Sequence, residues 1–135
     1  MTAYNFQPRF VHLIGSGAKR QTIRKHRRSP SRHANVGERV QLYTGMRTPG
    51  CMLIAEAKCT GVLPIRMDIG ARGIREVVIA NRALEIGRLA DFAKADGFGS
   101  FQDMCAFWVA MHGRGLFEGS LIKWGAPTRA AKDER

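Results

Sequence analysis

Between residues 38 and 79 the chain is a succession of short apolar runs, each cut off by glycine or proline before it reaches the length of a helix. Glu38 to Thr44 sets Val40 and Leu42 against Arg39, Gln41 and Tyr43, the period-two alternation of a half-buried strand. Cys51 to Cys59 and Val62 to Ile69 are two further runs of strand length, and Val77 to Ile79 predicts another short strand. Backbone groups in such segments find partners only in neighbouring strands, so a sheet has to frame the fold. Two flanking segments join it. Lys19 to Arg24 places Arg20, Thr22 and Arg24 on one face and Gln21 and Ile23 on the other, with Ile23 anchoring the strand to the core. Leu116 to Trp124 is the closing strand.

Helical spacing appears elsewhere. Pro8 stands at a first-turn position ahead of Phe10, Val11, Leu13 and Ile14, a short helix stopped by Gly15 or Gly17. Ala83 to Ala95 fits a helical stripe in part and is interrupted by Gly87. From Ser100 to His112, Met104, Phe107, Trp108 and Met111 fall at i, i+3, i+4 and i+7, and Ser100 is positioned to cap the amino end. Five or six short strands with helices between them give an α+β class, a small β-barrel or strongly curved sheet capped by helices. Periodicity alone accommodates an open α+β sheet almost as well. The 135 residues suffice for one domain with its own core, read as 1–126, followed by a flexible tail at 127–135 that has nothing with which to pack.

Apolar residues at 44% and charged residues at 24% exclude disorder of the whole chain. The longest apolar run, Cys105 to Met111, falls far short of the roughly 18 residues of a membrane span, so no membrane partner is expected. The first ten residues lack the pattern of a secretory signal, which predicts a cytoplasmic location. Cys51, Cys59 and Cys105 form no CxxC and the histidines are not spaced as ligands with them. No metal, disulfide framework or cofactor is expected.

Charge is the strongest functional signal. The chain carries +11, and residues 1–48 hold ten Lys/Arg against a single acid, Glu38. A field gathered in one region draws polyanions toward it. Lys25 to Gly37 (KHRRSPSRHANVG) has almost no apolar content and reads as an exposed basic loop. RNA or another single-stranded nucleic acid is the expected partner, held by Lys19, Arg20, Arg24, Lys25, Arg27, Arg28 and Arg32. Tyr43 is the candidate for base stacking, since Trp108 and Trp124 have core spacing. A solvated surface, or a module for an acidic protein partner, would also account for the charge. Gly15 to Lys19 lacks the full phosphate-loop pattern and follows a helix, which argues against nucleotide hydrolysis.

The order of these segments resembles the ASCH domain of the PUA-like superfamily. Gly17-Ala18-Lys19-Arg20-Gln21-Thr22-Ile23-Arg24 is similar to that family's G-x-K-x-x-T-x-R signature. Gly37-Glu38 leads the next strand, Asp96-Gly97-Phe98 precedes the helix at Ser100, and Phe117-Glu118-Gly119 opens the last strand, all in the family's order. The resemblance implies a PUA-like barrel and work on nucleic acid, mostly RNA, in a cleft beside it. It also implies a possible activity, because the family includes an amidohydrolase of N4-acetylcytidine and members described as ribonucleases. That enzyme's lysine and threonine fall on Lys19 and Thr22, and its glutamate is expected at Asp103, one methylene shorter.

Amide or phosphodiester cleavage needs a nucleophile, a base and a cation for the developing oxyanion. Thr22, Asp103 and Lys19 can fill those roles. Positions 19 and 22 face opposite sides of a regular strand, so Lys19 has to reach in from the Gly17 turn. Asp103, three residues after Ser100, also suits a purely structural place at the positive end of a helix.

Overall fold

The alternating apolar residues build a seven-stranded mixed sheet with three short helices, an α+β fold, in the computed structural model, which describes residues 2–27 and 32–128. Strand β1 (Thr2–Phe6) runs through a 3-10 turn at Pro8–Phe10 into α1 (Val11–Ser16). Gly17, in the left-handed region at φ +83°, stops that helix. Then come β2 (Gln21–Lys25), β3 (Arg39–Thr44), β4 (Met52–Gly70), β5 (Gly73–Ile79) and β6 (Arg82–Ala83). A 3-10 turn at Ile86–Arg88 leads into α2 (Leu89–Ala95), followed by α3 (Phe101–Met111) and β7 (Gly115–Trp124).

The main path of the sheet is β1-β3-β4-β7-β2, with β5 and β6 branching from the far half of β4. β1 lies parallel to β3, and every other pair is antiparallel. Among the described residues no ladder joins β1 to β2. Instead Arg24 Nη2 donates to Asn5 O at 2.6 Å and Arg27 Nη2 to Ala3 O at 3.2 Å, so two guanidinium groups of the β2 side span the seam.

Several expectations are corrected. The runs Cys51 to Cys59 and Val62 to Ile69 are one 19-residue strand, β4, which continues through Thr60 and Gly61 with a register shift in its pairing with β7. One strand thus serves both halves of the sheet: it pairs with β3 up to Lys58, with β7 from Cys59 through the bulge, and with β5 from Ile65 onward. β1 was not anticipated, although Tyr4 and Phe6 alternate into the core. β2 begins at Gln21, leaving Lys19 ahead of the strand. Residues 83–95 divide between β6, a 3-10 turn and α2, with the break at Gly87. Ser100 does cap α3, its Oγ accepting from Asp103 N at 3.0 Å. In the segment read as a tail, Thr128 exchanges backbone hydrogen bonds with Glu56 on β4 at 2.7 and 3.0 Å. Residues 129–135 lie outside the described residues.

The core gathers β-sheet side chains such as Val40, Leu42, Met67, Leu121 and Ile122 with Ile14 and Met104 from the helices. α3 is seated on β5, where Cys105 Sγ accepts from Ile74 N at 3.3 Å. Among the described residues no helix is long and apolar enough to cross a membrane.

Candidate functional site

The turn after α1 sets the first candidate side chain. Lys19 N donates to Leu13 O at 2.9 Å, which folds the chain back and turns the Lys19 side chain inward ahead of β2. The ammonium passes 4.8 Å from the centre of the Phe10 ring and 5.7 Å from that of Phe6. It ends on Asp96, donating to the backbone carbonyl and standing 3.6 Å from Oδ1. Gln21 Nε2 donates to the same carboxylate at 3.3 Å.

Asp96 closes α2, and Gly97 follows at φ +97°. A Cβ at position 97 would stand 2.7 Å from Lys19 Cδ and 3.0 Å from Phe10 Cδ1. Glycine here lets the Asp-Gly-Phe corner press Asp96 against Lys19 while sending Phe98 into an aromatic wall. In that wall the rings of Phe10, Phe98 and Phe107 meet at 5.1 to 5.9 Å between centres. Burial pushes the Lys19 ammonium below its ordinary pKa and the Asp96 carboxyl above its own, each partner's charge opposing the other's shift.

On β2, Thr22 and Arg24 share a face. Arg24 Nε donates to Thr22 Oγ1 at 3.0 Å, and its guanidinium lies 4.8 Å from the Phe6 ring centre and 5.4 Å from that of Tyr4. Burial brings Arg24 down to about 10. Lys19, Thr22, Arg24, Lys25 and Asp96 line one cleft of about 450 Å³ with Asn5, Gln7, His112 and the rings of Phe6, Phe10, Phe98, Phe107, Trp108 and Phe117. Three cations thus face a single carboxylate. Among the described residues the buried Trp108 Nε1 has no hydrogen-bond partner.

The other predicted residues are distributed less evenly. Asp103 is absent from the cleft lining. Its Oδ2 accepts from Gly99 N at 3.2 Å and from Arg9 Nη2 at 2.8 Å, and Arg9 lies over Phe10, Phe98 and Phe107. The carboxylate brought to Lys19 is Asp96. Arg20 turns away to donate to Gly17 O at 2.9 Å. Arg27 stacks on Tyr4, its guanidinium 4.8 Å from the ring centre. Arg32 is bound in a fork to Glu38 at 2.8 and 2.9 Å, and that contact, with the Asn35 N–H, lowers Glu38 to about 2. Tyr43 is half-buried on β3 and is not part of the cleft lining. Arg28 lies outside the described residues.

A small relay ties the basic segment to the cleft. Ala34 N donates to Tyr4 Oη at 3.2 Å, Tyr4 Oη meets His33 Nδ1 at 3.0 Å, and His33 Nε2 meets Lys25 O at 2.7 Å. The Tyr4 and His33 rings stack, 5.8 Å apart. Sequence reasoning missed the aromatic lining and Asp96's role. The readable signal for Asp96 was an acid fixed next to a glycine that ends a helix.

Compared with family models, curated proteins and solved structures, the chain matches none of them.

Proposed function

We propose that this chain is an ASCH-like protein that binds single-stranded nucleic acid, RNA foremost, by taking a base into the aromatic cleft while cations hold the backbone. One observation carries the reading: an aromatic-walled cleft of about 450 Å³ holds Lys19, Arg24 and Lys25 against one acid. Aromatic faces stack bases of any sequence, and cations at the mouth neutralise phosphates. Lys19, Thr22 and Arg24 of the signature segment line that cleft together with Asp96 of Asp-Gly-Phe, which supports the ASCH resemblance. The strand path β1-β3-β4-β7-β2, with its seam bridged by Arg24 and Arg27, supports a PUA-like barrel open along one edge.

The test is fluorescence anisotropy with labelled single-stranded RNA and DNA over a salt series. Binding that weakens steeply with salt and is lost in Phe98→Ala supports the reading. Binding that is absent at low salt, or indifferent to salt, overturns it.

A second reading, hydrolysis of a modified nucleoside or of RNA, is favoured by the buried Lys19–Asp96 contact beside Thr22. Lys19, with its ammonium destabilised by burial, serves as proton carrier, Thr22 supplies the hydroxyl, and Asp96 takes the place first expected of Asp103. Turnover of N4-acetylcytidine, followed by mass spectrometry, separates the carboxylates. Thr22→Val and Asp96→Asn should abolish it, and Asp103→Asn should retain it.

A further inference from the structure

Arg24 is a cation whose hydrogen bonding is incomplete. It donates from Nε to Thr22 Oγ1 and from Nη2 to Asn5 O, while Nη1 has no acceptor among the described residues. An arginine carries five N–H donors in a planar fork. The Phe6 and Tyr4 rings hold that plane in place. The single acid in the cleft, Asp96, is already taken by Lys19 and Gln21. Among the described residues the other charged side chains of the cleft and of the Tyr4 ring are positive: Lys19 and Lys25 line the same cleft, and Arg27 shares the Tyr4 ring. Arg24 is half-buried, and a cation partly withdrawn from water without an anion is costly to hold, a cost that a ligand bringing the anion lowers.

We infer that the cleft takes its ligand as a nucleotide, with a phosphate seated on the free edge of Arg24 inside the cleft. Thr22 is the second contact. Its Oγ1 already accepts from Arg24 Nε, so its O–H is available to donate to a phosphate oxygen. Lys25, exposed at the rim, is the third. The guanidinium fork matches two phosphate oxygens at once, which a lysine in its place could not do. The inference rests on the reading that a base enters the aromatic cleft, and it adds that a bare nucleoside leaves the charged half of the site empty.

Isothermal titration of the intact chain with cytidine, cytidine 5′-monophosphate, the cytidylyl-cytidine diester, ribose 5-phosphate and inorganic phosphate tests this. The monophosphate or the diester should bind about tenfold or more tighter than cytidine. Which of the two binds better tells whether the phosphate is terminal or internal to a strand. Arg24→Gln should reduce the nucleotide-to-nucleoside ratio toward one, and Arg24→Lys should keep part of it. Should Arg24→Gln fail to fold, the comparison of ligands on the parent protein decides alone. Equal binding of cytidine and its phosphates overturns the inference and leaves the base-binding reading standing. Binding of ribose 5-phosphate and phosphate without any gain from the base supports the anion site and overturns the base reading. No binding of any ligand overturns both.

Discussion

A methyl group at position 97 would meet Lys19 Cδ at 2.7 Å in a backbone at φ +97°. Gly97→Ala therefore has to shift Lys19 or unwind the corner, and we expect a loss of about 2 kcal/mol or more in chemical denaturation, with loss of ligand binding. The neighbouring Asp96 gives a pH prediction. Asp96→Asn leaves Lys19 buried without its counter-charge, a loss of about 3 kcal/mol at neutral pH. Lys19 already titrates below its ordinary 10.5 because of burial, so the native state binds fewer protons than the unfolded chain between the lowered value and 10.5. Stability thus rises with pH across that interval. The variant, lacking the carboxylate that opposes the shift, should regain stability on going from neutral to alkaline buffer more steeply than the parent in urea melts. At this scale Lys19 and Thr22 were legible because their spacing belongs to one short segment. Asp96 was not, because its contact spans 77 positions of sequence, and no local pattern announces which acid will meet which lysine.

Gly119 of β7 is the ladder partner of Lys25 on β2, and a Cβ there would stand 2.1 Å from Arg24 O and 2.9 Å from the Phe117 ring. Among the described residues β2 pairs only with β7. Gly119→Ala should therefore splay β2, and amide hydrogen exchange should show protection lost in Gln21–Lys25 but retained in β3 and in the β3-facing half of β4. Asp103→Asn is the contrasting case: it weakens a cap and an exposed contact with Arg9, costs at most about 1 kcal/mol, and leaves ligand affinity unchanged in the same titrations. The elements that could be read from sequence are those with a clean period, β3 by alternation and α3 by its apolar stripe and Ser100 cap. β4 was divided in two because Thr60-Gly61 interrupts the apolar run, although a bulge carries the strand straight through. β1 escaped notice because five residues offer little periodicity, and its parallel partner β3 lies beyond β2 and the basic segment.

Taken whole, the molecule carries +11, most of it in the first 48 residues. Like charges crowded on one folded surface repel one another, and added salt relieves that repulsion. The same salt would weaken the binding of a phosphate ligand, since each counterion released gains less entropy in a saltier solution. Raising sodium chloride from about 0.05 to 0.3 M, which shortens the Debye length about 2.5-fold, should raise Tm in differential scanning fluorimetry and lower RNA affinity in anisotropy. Two responses of opposite sign from one variable separate a functional cationic surface from an inert one, for which only the first would be seen.

The pairing of β2 with β7 also bears on how the chain is made. Residues 21–25 leave the ribosome ahead of the strand that holds them in place, 119–123, which follows only after the rest of the sheet and both later helices. Contacts this distant in sequence form late and slowly. A nascent chain halted before Gly115 carries Lys19, Thr22 and Arg24 without the wall supplied by Phe117 or the strand that fixes β2. The cleft is thereby reserved for chains that already include β7, and a stalled fragment displays its positive charge with no pocket around it.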